Sequence, residues 1–205
     1  VLVDAARHLR ARGIPVRINL YGKIDSDNPD AFSRAEIDRW CDDGLVSWKG
    51  HIDDVRSVWR DASISVMASL GGEGMPRSML EAAACGQPLI VTDVPGCRQF
   101  VRDDIEGFVV PPGNAEALAD AIARLATDVA LRNRMGAAAR ARVAAVDAQI
   151  ATFDKSLGDT TFASPVGGII TEKLVEPGEV IAPRTPVAVV VDLDHAWADV
   201  FVPEP

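Results

Sequence analysis

The chain has 205 residues, of which 48% are hydrophobic and 25% are charged, as is usual for a folded globular protein. Its 21 basic and 30 acidic residues give a net charge of −9, which argues against a protein that binds the phosphate backbone of nucleic acids. The longest stretch without a charge, Thr160–Thr171, is too short and too polar for a transmembrane segment. No secretory signal is expected either, because the first three residues lead directly to Asp4 and a charged helix.

The distribution of charge along the chain and the positions of cysteines and histidines indicate which kinds of site to expect. Residues 159–205 carry a net charge of −6 and the first 158 residues only −3, which indicates two unlike parts. The three cysteines show no C-x-x-C spacing, so we expect free, mostly buried thiols in a reducing compartment, with neither a disulfide framework nor a metal site. The three histidines are scattered and are interpreted as structural or solvated.

The predicted elements alternate between helices and strands over the first 150 residues. We expect helices at 1–12, 33–41, 53–60, 76–85, 98–102, 114–126 and from about 128, and strands at 15–22, 46–48, 64–68, 88–91 and 107–110. This alternation with short links predicts a parallel sheet that helices cover on both faces. Ligands of such sheets bind beyond the carboxyl ends of the strands, so loops 23–30, 69–75 and 92–96 are the candidate sites.

The pattern changes after residue 158. From Thr161 onward, prolines and glycines separate short runs that are rich in valine and isoleucine, which is typical of an all-β module with tight turns. Some 45 residues are few for an independent hydrophobic core. We therefore expect an incomplete β module.

A glycine-rich loop carries the chemical signal of this sequence. Gly71–Glu81 reads GGEGMPRSMLE and lies between a predicted buried strand and a helix. Glycines allow the backbone to approach a ligand closely, and Pro76 suits the first position of the helix. The N–H groups at such a helix N-terminus bind anions, and a diphosphate is a natural occupant.

Two glutamates flank this helix start with seven residues between them. Glu73 precedes the helix, whereas Glu81 falls about one and a half turns into it. A carboxylate suits a vicinal pair of hydroxyls, because each of its oxygens accepts a separate O–H bond. From spacing alone, two interpretations stay open: a sugar-nucleotide site, or a solvated Glu81 with a Glu73 that merely favours the positive end of the helix.

The wider context resembles a known enzyme family. The run Gly71–Cys97, GGEGMPRSMLEAAACGQPLIVTDVPGC, closely resembles the donor-binding half of retaining glycosyltransferases of family 4, which have the two-domain GT-B architecture. Glu73 and Glu81 match the two glutamates of the E-x7-E motif of that family, and Gly107–Asn114 also fits its pattern. The resemblance covers residues 1–140 approximately and implies an α/β fold with a Rossmann-like parallel sheet, half of a GT-B fold.

The resemblance implies a nucleoside-diphosphate sugar as donor substrate, retention at the anomeric carbon, no cofactor and no metal. Glu73 is the implied catalytic residue near the donor sugar, and Glu81 is implied to hold the ribose hydroxyls. Further implied donor-binding residues are Gly72, Gly74, Met75, Pro76, Thr92 and Gly96. The implied location of such a domain is cytoplasmic.

Two features depart from the family pattern. An earlier strand with basic residues and an N-terminal domain that would supply the acceptor site are not recognised in this sequence, and Gln99 stands where close relatives usually carry glutamate. Charge stabilisation is commonly the largest catalytic contribution. We therefore expect that this chain alone does not turn over a sugar nucleotide.

The last part of the chain resembles a different family. Residues 160–205 resemble the second half of the barrel-sandwich, lipoyl-like module of bacterial periplasmic adaptor (membrane fusion) proteins, with turns at Ser164–Gly168 and Glu176–Glu179. An unrelated β appendage with similar turns is the alternative. Lys173 does not lie in the hairpin sequence that a lipoyl or biotinyl site requires.

These observations predict three segments. Residues 1–135 are interpreted as a glycosyltransferase C-terminal domain, 136–158 as an Ala/Arg-rich helical connector and junction, and 159–205 as a partial barrel-sandwich module. We expect a chimeric chain in which a donor-binding domain is joined to an adaptor fragment. The alternative function is that of an adaptor component in a secretion or efflux system, or a chimera with no function of its own.

Overall fold

The computed structural model describes residues 1–24, 31–71, 74–158, 164, 167–176, 179, 182 and 185–192. The helices are α1 (Leu2–Ala11), α2 (Arg34–Asp42), α3 (Val55–Asp61), α4 (Arg77–Ala84), α5 (Pro95–Arg98), α6 (Ala115–Thr127) and α7 (Val129–Gly158). The strands are β1 (Asn19–Leu20), β2 (Ser47–Trp48), β3 (Ser65–Met67), β4 (Leu89–Thr92), β5 (Gly107–Val110), β6 (Ile169–Lys173) and β7 (Ala188–Val191). The chain divides into two compact units, Val1–Ile150 and Ala151–Pro205.

The first unit is an α/β structure with parallel strands, which confirms the predicted fold class. However, the strands form two sheets where the sequence predicted one: β1 pairs with β2, and a second sheet has the order β3-β4-β5. The predicted strand over 15–22 shortens to Asn19–Leu20. The reason is that only Asn19 and Leu20 lie opposite the two residues of β2, with which β1 pairs.

The core lies on both faces of β4, whose four residues are all buried. Ile90 packs into one cluster with helix residues of α6 and α7, including Leu118, Leu125 and Met135. Leu89 and Val91 point to the opposite face and join a second cluster that holds α4 and α5. Because successive side chains of a strand alternate between faces, this uncharged strand contributes side chains to both clusters.

The helix starts follow from capping side chains. The side chain of Asn114 accepts a bond of 2.9 Å from the backbone of Ala117 at the start of α6, and Asp54 caps α3. Ser33 and Glu36 form a reciprocal capping box at the start of α2. Hydrogen bonds from Ser33 to the Glu36 carboxylate lower the pKa of Glu36.

The predicted helix over 98–102 is wrong in position, because α5 spans Pro95–Arg98 and a turn follows it. Pro95 accounts for the earlier start, since its fixed φ suits the first helical turn. In the turn, the fully buried carboxylate of Glu106 binds the guanidinium and the backbone N–H of Arg102. Burial opposes ionisation of Glu106, but the bonds and charge of Arg102 outweigh it, and the pKa of Glu106 is lowered.

Helix α7 runs unbroken for 30 residues, which agrees with the long Ala-rich helix expected from about Asp128. Asp128 accepts a bond of 2.8 Å from the backbone of Leu131 at its start. In the second unit, β6 and β7 form an antiparallel pair, and the described residues show no closed barrel. Among the helices that the structure describes, none has the length and hydropathy of a membrane span. The three predicted segments and the barrel-sandwich interpretation stay predictions.

Candidate functional site

The loops that follow β3 and β4 meet at one edge of the sheet. These strands are parallel neighbours, with Met67 paired to Val91, so their carboxyl ends lie side by side. Thr92 is buried, and its hydroxyl donates a bond of 2.6 Å to the backbone carbonyl of Ser69. Thr92 was predicted to bind donor; in this structure its hydroxyl links the end of β4 to the loop after β3. The candidate site therefore lies where ligands of parallel sheets usually bind.

Gly96 brings the second loop directly against the first. A Cβ atom at position 96 would overlap the carbonyl group of Gly74 and lie 3.0 Å from the amide nitrogen of Met75. Only a residue without a side chain permits this backbone-to-backbone contact. Three of the predicted donor-binding residues, Gly74, Met75 and Gly96, are therefore adjacent in space.

Helix α4 begins at this contact, but one residue later than predicted. Pro76 is the N-cap, with extended backbone at ψ 127°, and its carbonyl accepts the first helical bond from Met79 at 3.2 Å. The prediction that Pro76 occupies the first helical position is thus wrong by one residue. Because proline has no polar side-chain atom, it supplies no side-chain acceptor to the first N–H groups of the helix. This start of α4 keeps the anion-binding character that the sequence indicated.

Glu81 lies in the second turn of α4, and 32% of its side chain is exposed. Its carboxylate is 3.7 Å from the guanidinium of Arg77, one turn earlier, and the Arg77 side chain is 92% exposed. An exposed pair of this kind contributes little to stability, about 0–1 kcal/mol. The carboxylate of Glu81 is therefore free to exchange this partner for hydroxyl groups of a ligand.

A cleft of about 700 Å³ opens beside this carboxylate. Glu81, Ser78 and Met67 are among the residues that line it, and the Ser78 hydroxyl donates to the Met67 sulfur at 3.4 Å. Ser78 and Glu81 are three residues apart on α4, so they lie on the same face of the helix. This face of α4 is turned toward the end of β3.

The predicted catalytic residue Glu73 and the predicted donor-binding Gly72 lie outside the described residues. Gly71, the residue before them, has φ +141°, a conformation that favours glycine. Met75, just after them, is 43% exposed. The roles assigned to Glu73 and Gly72 stay predictions.

Arg77 and Ser78 were not among the predicted site residues, although the structure places both beside Glu81. The available signal was helical spacing: positions three and four residues before Glu81 share its face of the helix. Asp93 and Arg98 form a further exposed ion pair of 3.1 Å after β4. Within the residues described here, no three His, Cys, Asp or Glu side chains come together as a metal site would require.

Comparisons with known proteins show the family of the chain. The sequence profile of the family "Glycosyl transferases group 1" matches residues 1–128. The chain is 40% identical over 92 residues to an exopolysaccharide phosphotransferase of Streptomyces coelicolor, covering 44% of this chain and 10% of that protein. It is 34% identical over 95 residues to phosphatidyl-myo-inositol mannosyltransferase of Mycobacterium leprae, covering 45% of this chain and 25% of that protein.

Solved structures extend the comparison to the fold. The structure of HepE from Anabaena in complex with UDP superposes with a TM-score of 0.62 at 23% identity, covering 76% of this chain and 44% of that one. The chain thus spans less than half of this structure, and a tenth and a quarter of the two relatives. The fold is that of GT-B glycosyltransferases, and the profile match over residues 1–128 shows that the chain belongs to the glycosyl transferases group 1 family.

Proposed function

We propose that residues 1–128 are the donor-binding domain of a glycosyltransferase, which binds a nucleoside-diphosphate sugar and serves the transfer of its sugar with retention. The observation that carries this proposal is the contact of Gly96 with the Gly74–Met75 backbone at the start of α4. This contact forms a narrow, side-chain-free edge next to an anion-binding helix terminus. HepE, whose structure holds UDP, has the same fold.

Each group in the proposed site has a distinct role. The backbone amides near Gly74 and Met75 bind the diphosphate, because they lie at the positive end of α4. Glu81 accepts the two ribose hydroxyls, one with each carboxylate oxygen, and such charge-assisted bonds contribute about 1.5–3 kcal/mol. Glu73 contacts the donor sugar near its anomeric carbon.

A titration of the chain with UDP, GDP and ADP, followed by amide NMR shifts, tests the proposal. We expect shifts at Gly74–Glu81 and around Gly96, with one nucleotide preferred. In the Glu81→Ala variant the affinity for that nucleotide falls about tenfold or more, the loss expected when charge-assisted bonds to a ribose are removed. The variant keeps its fold, because only the exposed pair with Arg77 is lost.

Glu172→Ala is the matched control, since Glu172 is an exposed glutamate of β6 in the second unit. The control keeps the nucleotide affinity of the parent chain. Equal loss of affinity in both variants, or a folded chain without nucleotide-dependent shifts, contradicts the proposed donor site.

Turnover by the chain alone is a separate question. We expect no hydrolysis of UDP-glucose above the buffer background; hydrolysis that disappears in Glu73→Ala would contradict this expectation. The cytoplasmic location and the adaptor-like interpretation of residues 159–205 stay predictions from the sequence.

A further inference from the structure

The turn after β4 carries Gly96, whose contact with the α4 loop is the centre of the proposed donor site. Backbone bonds run through the whole turn: Gln99 donates to the carbonyl of Pro95 at 3.2 Å, and Val101 donates to that of Cys97 at 2.9 Å. Each such bond fixes the backbone dihedrals of the residues it spans. A contact at the end of this turn therefore also fixes the position of Gly96 near its start.

A side chain of α7 makes that contact. The guanidinium of Arg142 donates from Nε to the backbone carbonyl of Phe100 at 2.8 Å and from Nη2 to that of Gln99 at 3.2 Å. The last carbonyl groups of a helical turn have no partner within the helix, and basic side chains commonly bind them. The planar fork of an arginine suits two adjacent carbonyls at once.

Packing holds Arg142 in place on the same turn. The central carbon of its guanidinium lies 5.7 Å from the centre of the Phe100 ring, within the range of a cation–π contact. Ala139, one turn earlier on α7, is fully buried in the cluster of core side chains that contains Cys97 and Phe100. Arg142 is itself half-buried, so its bonds are partly shielded from water.

The charge of Arg142 has a second neighbour, the buried carboxylate of Glu106. Burial opposes the ionisation of Glu106, whereas the bonds and charge of Arg102 and also the charge of Arg142 lower its pKa. Arg142 could therefore serve only as a positive charge near this carboxylate. Lysine at position 142 separates the two roles, because it keeps the charge and loses the fork.

We propose that Arg142 is a positioning residue of the donor site, which holds the turn after β4 so that Gly96 stays against the Gly74–Met75 backbone. This inference rests on the proposed function, in which the amides near Gly74 and Met75 bind the diphosphate. Glu81, the proposed partner of the ribose, lies on α4 and does not depend on this turn. Arg142 thus affects the diphosphate contacts selectively, although it lies beyond the residues that the family profile matches.

Arg142→Met in the full chain tests this role, because methionine removes both donors and keeps an unbranched chain beside Phe100. The probes are the nucleoside diphosphate that the parent chain prefers among UDP, GDP and ADP, and the corresponding nucleoside. We expect the affinity for the diphosphate to fall about fivefold to tenfold and the affinity for the nucleoside to stay unchanged. Without ligand, the amide NMR signals of Gly74, Met75 and Gly96 should shift.

Two further variants locate the cause. Arg142→Lys should recover only part of the affinity for the diphosphate, because one ammonium group does not reproduce the fork on two carbonyls. Full recovery by lysine would assign the effect to charge and overturn the positioning role. Arg134→Met is the matched control, since Arg134 is an exposed arginine of the same helix. It should keep both affinities and the three amide signals of the parent chain.

The remaining outcomes separate Arg142 from the donor site itself. Lower stability with unchanged affinity for the diphosphate, or equal loss of affinity for both probes, would show a merely structural role and overturn the proposal. Unshifted signals of Gly74, Met75 and Gly96 in ligand-free Arg142→Met would also overturn it. A parent chain without nucleotide-dependent shifts contradicts the donor site, which is a different result from a parent chain that binds and a variant that binds equally well.

Discussion

β4 and β6 are both rich in aliphatic residues, yet their surroundings differ completely. All four residues of β4 are buried between two clusters of helix side chains. All five residues of β6 are exposed, including Ile169 at 56% and Ile170 at 65%. A two-stranded antiparallel pair has marginal stability by itself. The comparison shows that an apolar run becomes a core only where another layer covers it.

The largest expected effect comes from substitution of Gly107, which, like Gly168, lies against a strand carbonyl. A Cβ atom at Gly107 would overlap the carbonyl group of Leu89, and one at Gly168 would overlap that of Val191. Gly107→Ala should lower the free energy of unfolding by about 3 kcal/mol or more, because β4 is packed on both faces and cannot shift. Gly168→Ala should change it by about 0.5 kcal/mol or less, since the exposed hairpin can move.

Urea denaturation followed by circular dichroism measures both changes. Gly167→Ala is the control, because a Cβ atom there meets nothing within 4 Å. A loss in Gly168→Ala as large as in Gly107→Ala would mean that the hairpin belongs to the same cooperative unit as the α/β sheet.

A matched pair of valine truncations gives a smaller effect. Val91 in β4 is 1% exposed, whereas Val189 in β7 is 39% exposed. Val91→Ala should lower the free energy of unfolding by about 2 kcal/mol, because two buried methyl groups are lost and leave a space. Val189→Ala should change the free energy of unfolding by no more than about 0.5 kcal/mol. Thermal and urea unfolding of the two variants check this, and similar losses would reveal a layer over β7.

The smallest effect depends on pH. Because the pKa of Glu106 is lowered in the folded chain, its carboxylate stabilises the fold above its ordinary pKa, about 4.3, and this contribution is lost as the pH falls through the lowered value. Glu106→Gln should lower the free energy of unfolding by about 1 kcal/mol at neutral pH, and the deficit should shrink below pH 4. Urea unfolding of both chains between pH 3 and 7 measures it.

Glu172→Gln in β6 serves as the exposed counterpart of that substitution. Its stability should follow the parent chain across the same pH range. A deficit of Glu106→Gln that is constant down to pH 3 would show that packing, and not the charge of the carboxylate, is what Glu106 contributes.

Much of this architecture could be predicted from local sequence. The apolar run 64–68 contains β3, the helix predicted at 114–126 contains α6 up to residue 126, and the helix expected from about Asp128 is continuous to Gly158. These features depend on near neighbours in the chain: the period of apolar residues, a capping side chain, a proline. The same local signals indicated a helix terminus after a glycine loop, which is the centre of the candidate site.

The remaining features depend on contacts between distant residues. The division into two sheets depends on which strand edges pair. The alternation of helices and strands along the sequence does not predict that pairing. The contact between Gly96 and Gly74 joins residues 22 positions apart, so no local sequence pattern predicts it. The Arg102–Glu106 turn was missed because buried ion pairs and exposed helical pairs share the same spacing of four residues.

The close approach of Gly96 to Gly74 and Met75 also limits how this domain can be redesigned. Every amino-acid replacement at position 96 adds at least one carbon where backbone already stands, so saturation mutagenesis there should return glycine alone. Altered preference for the proposed donor must then be selected at neighbouring positions with room for side chains, such as exposed Met75 and Arg77. A library built for new specificity should therefore hold position 96 constant and vary the loop opposite it.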